Sequence, residues 1–90
     1  MRVVHCKKEK YTEYIGRPSK LGNPYVIGEH GTREEVIAKD EIHIRNSPEL
    51  LAYIKALPED SVLGCWCAPK HYCHGDVIVK IWKELNEKGD

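Results

Sequence analysis

"SVLGCWCAPKHYCHGDVIVKIW", residues 61–82, decides how this chain folds. The run "SVLGCWC" is short and apolar, the pattern of a buried strand. Alternate residues of a strand face one side, so Cys65 and Cys67 share a face and Trp66 takes the other. "APKHYC" then reads as a turn. "HGDVIVKIWKELNEKG" follows with Val77, Ile78, Ile81, Trp82 and Leu85 on one helical stripe, and Gly89 is a normal stop.

Upstream, "NSPELLAYIKALP" predicts a helix with Ser47 as N-cap, Pro48 at the first helical position, and an apolar face of Leu50, Leu51, Ile54 and Leu57. Before it, "TREEV" sets Thr32 three residues ahead of Glu35, the spacing of a reciprocal capping box. That helix runs to about Arg45 and buries Val36, Ile37 and Ile44, although "EIHIR" also alternates as a strand would. At the start, "RVVHC" (2–6) reads as a strand, and "YTEYIG" as a second short strand or a hairpin arm. Gly16, Pro18, Gly22, Pro24, Gly28 and Gly31 punctuate the stretch between them and the first helix, which reads either as a long ordered loop or as a loop with one brief strand at "YVI" (25–27). The order β, β, loop, α, α, β, α predicts a single α/β domain over residues 1–90, with a short mixed or parallel sheet, about three helices, and the last strand beside the first.

Ninety residues leave no room for a second core. Fourteen basic residues balance fourteen acidic ones, so no global field draws the chain to nucleic acid or to an anionic membrane. Nucleic acid is therefore not the favoured partner, and any polyanion would have to meet a local patch. The apolar runs are too short to span a membrane. "MRVVHCKKEKY" has neither an apolar centre nor a cleavage site, so it is not expected to act as a signal peptide. The expected location is cytoplasmic, with the four cysteines reduced or metal-bound.

Cys65, Cys67, His71, Cys73 and His74 fall within ten residues, and three readings of them stand open. Mixed thiolate and imidazole ligands suit zinc. Cys73 at a helix start, where unsatisfied N–H groups stabilise a thiolate, is a candidate nucleophile, with His74 and Asp76 as acid/base candidates. Small buried cysteines are also common in strands. Gly75 in the first helical turn lets a backbone or ligand approach. The other candidate segment is the loop "GRPSKLGNP". There Arg17 offers a fork for phosphate, Lys20 a point charge, and Ser19, Gly22 and Asn23 neutral contacts on a frame that the prolines stiffen. It has neither a Walker spacing nor G-x-G-x-x-G.

"GRPSKLGNP", "GTREEVI" and "CWCAPKHYCHGDV", in this order, resemble a small prokaryotic and phage family, the domain of unknown function DUF4326. The resemblance runs from about Tyr14 to Val79. It implies a standalone cytoplasmic domain and brings no activity with it. It does imply that Gly16, Arg17, Pro18, Gly22, Asn23 and Pro24 belong with Cys65, Cys67, Pro69 and the Cys73–Asp76 stretch. Meeting at the carboxyl edge of the sheet, the two segments would make one site. The expected function is binding of a phosphate-bearing small molecule, a nucleotide or derivative, by a hydrolase, a transferase or a simple binder. The alternatives are a zinc-stabilised module for nucleic acid or a protein partner, and a thiol redox-responsive domain.

Overall fold

Three strands and three helices follow one another as β1 (Arg2–His5), β2 (Glu13–Tyr14), α1 (Arg33–Arg45), α2 (Pro48–Lys55), β3 (Val62–Cys65) and α3 (His74–Asn86) in a computed structural model. It describes residues 1–17, 19–66 and 74–87. Pro18, Cys67, Pro69, His71, Cys73 and Gly89, all singled out above, lie outside the described residues.

The strands form one sheet in the order β1-β3-β2. Both pairings are parallel, with Val3 opposite Leu63, and Glu13 opposite Leu63 on the other side. The last strand thus pairs with the first, as its sequence predicts, and lies between the other two. β2 is not a hairpin arm. The segment 6–12 carries the chain from one edge, across β3, to the other edge. A parallel connection usually needs a dozen residues or more. Here it is short because β2 itself has only two residues. Thr12 completes the pairing with its side chain: the Val62 N–H donates to Thr12 Oγ1 at 2.9 Å, and the Thr12 N–H donates to the Val62 carbonyl at 2.9 Å.

The two faces of the sheet are covered differently. Leu63 and Cys65 point into the core with Ile37 and Ile44 of α1, Ile54 of α2, and Val77, Ile78 and Ile81 of α3. On the opposite face Gly64 lies beneath the ring of Tyr11, where an added Cβ would stand 2.6 Å from Tyr11 Cγ. The arrangement is two layers, three helices against a small parallel sheet, with segment 6–12 closing part of the outer face.

The helix starts follow the sequence signals. Thr32 and Glu35 form the reciprocal box, with Thr32 N–H donating to Glu35 Oε1 at 2.8 Å and Glu35 N–H to Thr32 Oγ1 at 3.2 Å. Those contacts hold the Glu35 carboxyl below its usual range. Ser47 accepts from the Leu50 N–H, and Pro48 occupies the first turn. "EIHIR" completes α1 and forms no strand. Residues 25–27 are not a strand either. Their backbone is consumed locally: the Val26 N–H donates to His30 Nδ1 at 2.8 Å, and the His30 N–H to the Val26 carbonyl at 2.8 Å. Among the described residues, no helix is long and apolar enough to cross a membrane.

Candidate functional site

At the carboxyl edge of the sheet the chain leaves each strand into segments that wall a pocket of about 370 Å³. That volume falls within the range of small-molecule sites. Gly16 and Arg17 follow β2, Cys65 and Trp66 close β3, and His74 opens α3; segment 25–27 and the first turns of α1 supply the facing wall.

Loop 16–24 is braced from within. The Ser19 N–H donates to the Gly16 carbonyl at 2.9 Å, and the Gly22 N–H to the Ser19 carbonyl at 3.0 Å. A Cβ on Gly22 would come 2.9 Å from the Gly16 carbonyl oxygen, so the loop closes only because that position has no side chain. Leu21 anchors the turn in the core. Asn23 ties the loop to its neighbours: its Oδ1 accepts from the Tyr25 N–H at 2.9 Å, and its Nδ2 donates to the Val36 carbonyl at 3.2 Å. These contacts tie Gly16, Ser19, Gly22 and Asn23 together and to α1 without regular secondary structure.

His74 holds the other side of the loop. Its Nε2 lies 2.7 Å from the Ile15 carbonyl, and the ring is buried. Burial pushes its pKa below the ordinary histidine value. Hydrogen bonds with the Ile15 and Leu21 backbone oppose that shift, and the Arg17 charge reinforces it. A neutral ring with its proton on Nε2 satisfies the Ile15 carbonyl. Gly75 makes this position reachable. An added Cβ would lie 2.8 Å from Val3 Cγ1 and 3.0 Å from Ile15 Cδ1, so α3 starts in direct contact with β1.

The residues singled out in the sequence therefore divide. Arg17, Asn23, Cys65 and His74 line the pocket. Gly22 and Gly75 shape it from behind through the close approaches above. Lys20 turns to α2, where its Nζ pairs with Glu49 at 3.0 Å and sits 5.1 Å from the centre of the Tyr53 ring. The Ser19 hydroxyl is buried without a hydrogen-bond partner among the described residues. Asp76 is exposed on the first turn of α3. Cys67, His71 and Cys73 lie outside the described residues, within which no group of three or more His, Cys, Asp or Glu side chains could hold a metal ion.

Sequence reasoning did not assign Arg33, Tyr25 and Trp66 to the site, nor the apolar Val26, Ile27, Val36 and Ile37 that also line the pocket. Arg33 carried a readable signal. It is the first residue of α1, at the positive end of the helix dipole, where a cation is unfavourable unless something else recruits it. Tyr25 stands edge-on to His30 and His43, with ring centres 5.6 and 6.4 Å away, which fixes its orientation in the wall.

The sequence model of a family described as Domain of unknown function (DUF4326) matches residues 2–84. No curated protein and no solved structure matches the chain.

Proposed function

The chain belongs to the domain of unknown function family DUF4326, and from its own pocket we propose that it binds a phosphate-bearing small molecule, a nucleotide or nucleotide derivative. One observation carries the reading. Arg17, from the loop after β2, and Arg33, from the start of α1, line the same pocket as the aromatic side chains of Tyr25 and Trp66. Guanidinium forks match phosphate oxygens in pairs, and aromatic faces accept a planar base. An ordinary carboxylate metabolite would use the arginines and leave the aromatic walls without a role.

In this reading Arg17 and Arg33 hold the phosphate, and Tyr25 and Trp66 flank the base. Asn23 and His74 keep Arg17 in place through the loop contacts already described. Of the acid/base candidates, His74 is the one at the pocket, and its Nε2 is committed to the Ile15 carbonyl. Its part is then positioning, and any hydrolysis or transfer would draw on the charge that the two arginines offer a transferring group.

Calorimetric titration with a panel of nucleoside mono-, di- and triphosphates tests the proposal. The wild-type chain should bind at least one of them. Arg17→Ala and Arg33→Ala should each weaken that binding by roughly tenfold or more, the loss of a charge-assisted contact. Melting temperatures should stay close to the wild-type value. Unchanged affinity in both variants would remove the proposal.

A further inference from the structure

The face of the sheet turned away from the helices carries a row of aromatic rings that starts at Trp66 of the pocket and runs on beyond it to Tyr14 and Tyr11. Tyr11 is 43% exposed and Trp66 55% exposed, and these are the largest rings open to solvent among the described residues. They are joined through Tyr14. The Tyr11 and Tyr14 ring centres lie 5.9 Å apart, and Trp66 Nε1 donates to the Tyr14 hydroxyl at 2.8 Å. Gly64 beneath Tyr11 keeps the row close to the sheet. His5 meets Trp66 edge-on, with centres 5.8 Å apart.

Positive charge borders this row. Lys7 places its Nζ 5.5 Å from the centre of the Trp66 ring. Lys8 and Lys10 are exposed on the same short segment. The acidic residue among them, Glu9, is paired with Arg2 at 3.2 Å. A chain with no net charge therefore carries three exposed lysines on the segment that leads into Tyr11, one of them over the Trp66 ring. Trp66 also lines the pocket, so the row ends at the pocket mouth.

We infer that this ledge binds a single-stranded nucleic acid, with the terminal nucleotide in the pocket against Trp66, a further base stacked on Tyr11, and phosphates beside Lys7, Lys8 and Lys10. The inference rests on the nucleotide reading of the pocket and extends it from a free nucleotide to the end of a strand. Single strands expose the faces of their bases, and flat aromatic platforms with neighbouring cations hold them with little regard to sequence. A duplex hides those faces. A protein partner would make use of the rings but has no general need for a lysine cluster beside them.

Fluorescence anisotropy with an end-labelled oligothymidylate of about eight nucleotides, run beside calorimetry with thymidine monophosphate, tests it. The oligomer should bind roughly tenfold or more tighter than the mononucleotide. Its affinity should also fall roughly twentyfold between about 50 and about 200 mM salt, as expected for some three phosphate contacts. Lys7→Glu combined with Lys8→Glu should erase the oligomer's advantage and leave mononucleotide affinity unchanged; Tyr11→Ala should weaken only the oligomer. Equal affinity for oligomer and mononucleotide would overturn the ledge and leave the pocket proposal standing. A binding oligomer with no mononucleotide binding would overturn the placement of the terminal nucleotide. A duplex that binds as tightly as the single strand would overturn the stacking, and no binding of either ligand would overturn both readings.

Discussion

Asp40 puts a carboxyl on the buried stripe of α1, between Ile37 and Ile44. It is 1% exposed, and its Oδ2 has no hydrogen-bond partner among the described residues. Burial pushes its pKa up from 3.8 to about 7. The unfolded chain releases this proton at the ordinary carboxylate pKa while the folded chain retains it. Stability therefore falls as pH rises through the window from 3.8 to about 7, and stays lowered above it. Asp40→Asn keeps the shape and removes the ionisation. It should raise the melting temperature by roughly 10 °C at about pH 8, on the order of 2 kcal/mol, and change it little at about pH 4. Thermal melts across that range check this, and an equal effect at both ends would show that ionisation is not the cause. Spacing alone marked the position, since residue 40 follows 36 and 37 by one helical turn. A charged residue on that stripe reads as solvated in sequence, so the burial went unforeseen. His74 shows the converse. Its place at the start of α3 was readable, but its use as a bracket for Ile15 depends on Gly75 letting the helix meet β1, a contact between segments far apart in the chain.

At the scale of elements, the caps were legible because they are local. Thr32 with Glu35, and Ser47 with Pro48, specify their helix starts within four residues. β2 was harder to read because part of its ladder is a side chain. Thr12 Oγ1 accepts the Val62 N–H, and the main chain of Thr12 donates to the Val62 carbonyl. Thr12→Ala removes that acceptor at an exposed position, where water replaces it, and should destabilise the domain by about 0.5–1 kcal/mol. Thr12→Ser should restore most of the loss, measured by urea unfolding of the two variants beside wild type. If alanine and serine behave alike, the hydroxyl has no part in the pairing. Of the two readings of the stretch before α1, the ordered loop holds and the brief strand at 25–27 does not form, for a related reason. "YVI" has strand-like residues, but a turn ending at Gly31, at φ 138°, keeps its backbone groups to itself.

For the whole molecule, all three helices share one core with the central strand, so no element can leave without exposing the others. A single cooperative transition follows, with a calorimetric enthalpy near about 60 kcal/mol for a chain of this size. Scanning calorimetry should give that value in agreement with the van't Hoff enthalpy; a van't Hoff value well below it would mean separate unfolding units. The architecture was readable because the β3–α3 stretch and the capped helices leave few ways to bury their apolar faces. The site was only half readable. Arg17 and His74 lie in segments of unusual composition, whereas Arg33, Tyr25 and Trp66 reach the pocket through a topology that places β3 between β1 and β2. That topology also separates the chain's two tryptophans. Trp82 is buried in the core, with its Nε1 donating to the Leu57 carbonyl at 2.8 Å, while Trp66 stands in solvent at the pocket mouth. The protein thus carries two intrinsic optical probes, a shielded one that emits toward the blue and a wetted one that emits toward the red. A quencher dissolved in the buffer reaches the second and spares the first. Occupancy of the site and loss of the fold can therefore be followed as separate colour changes in one unlabelled sample.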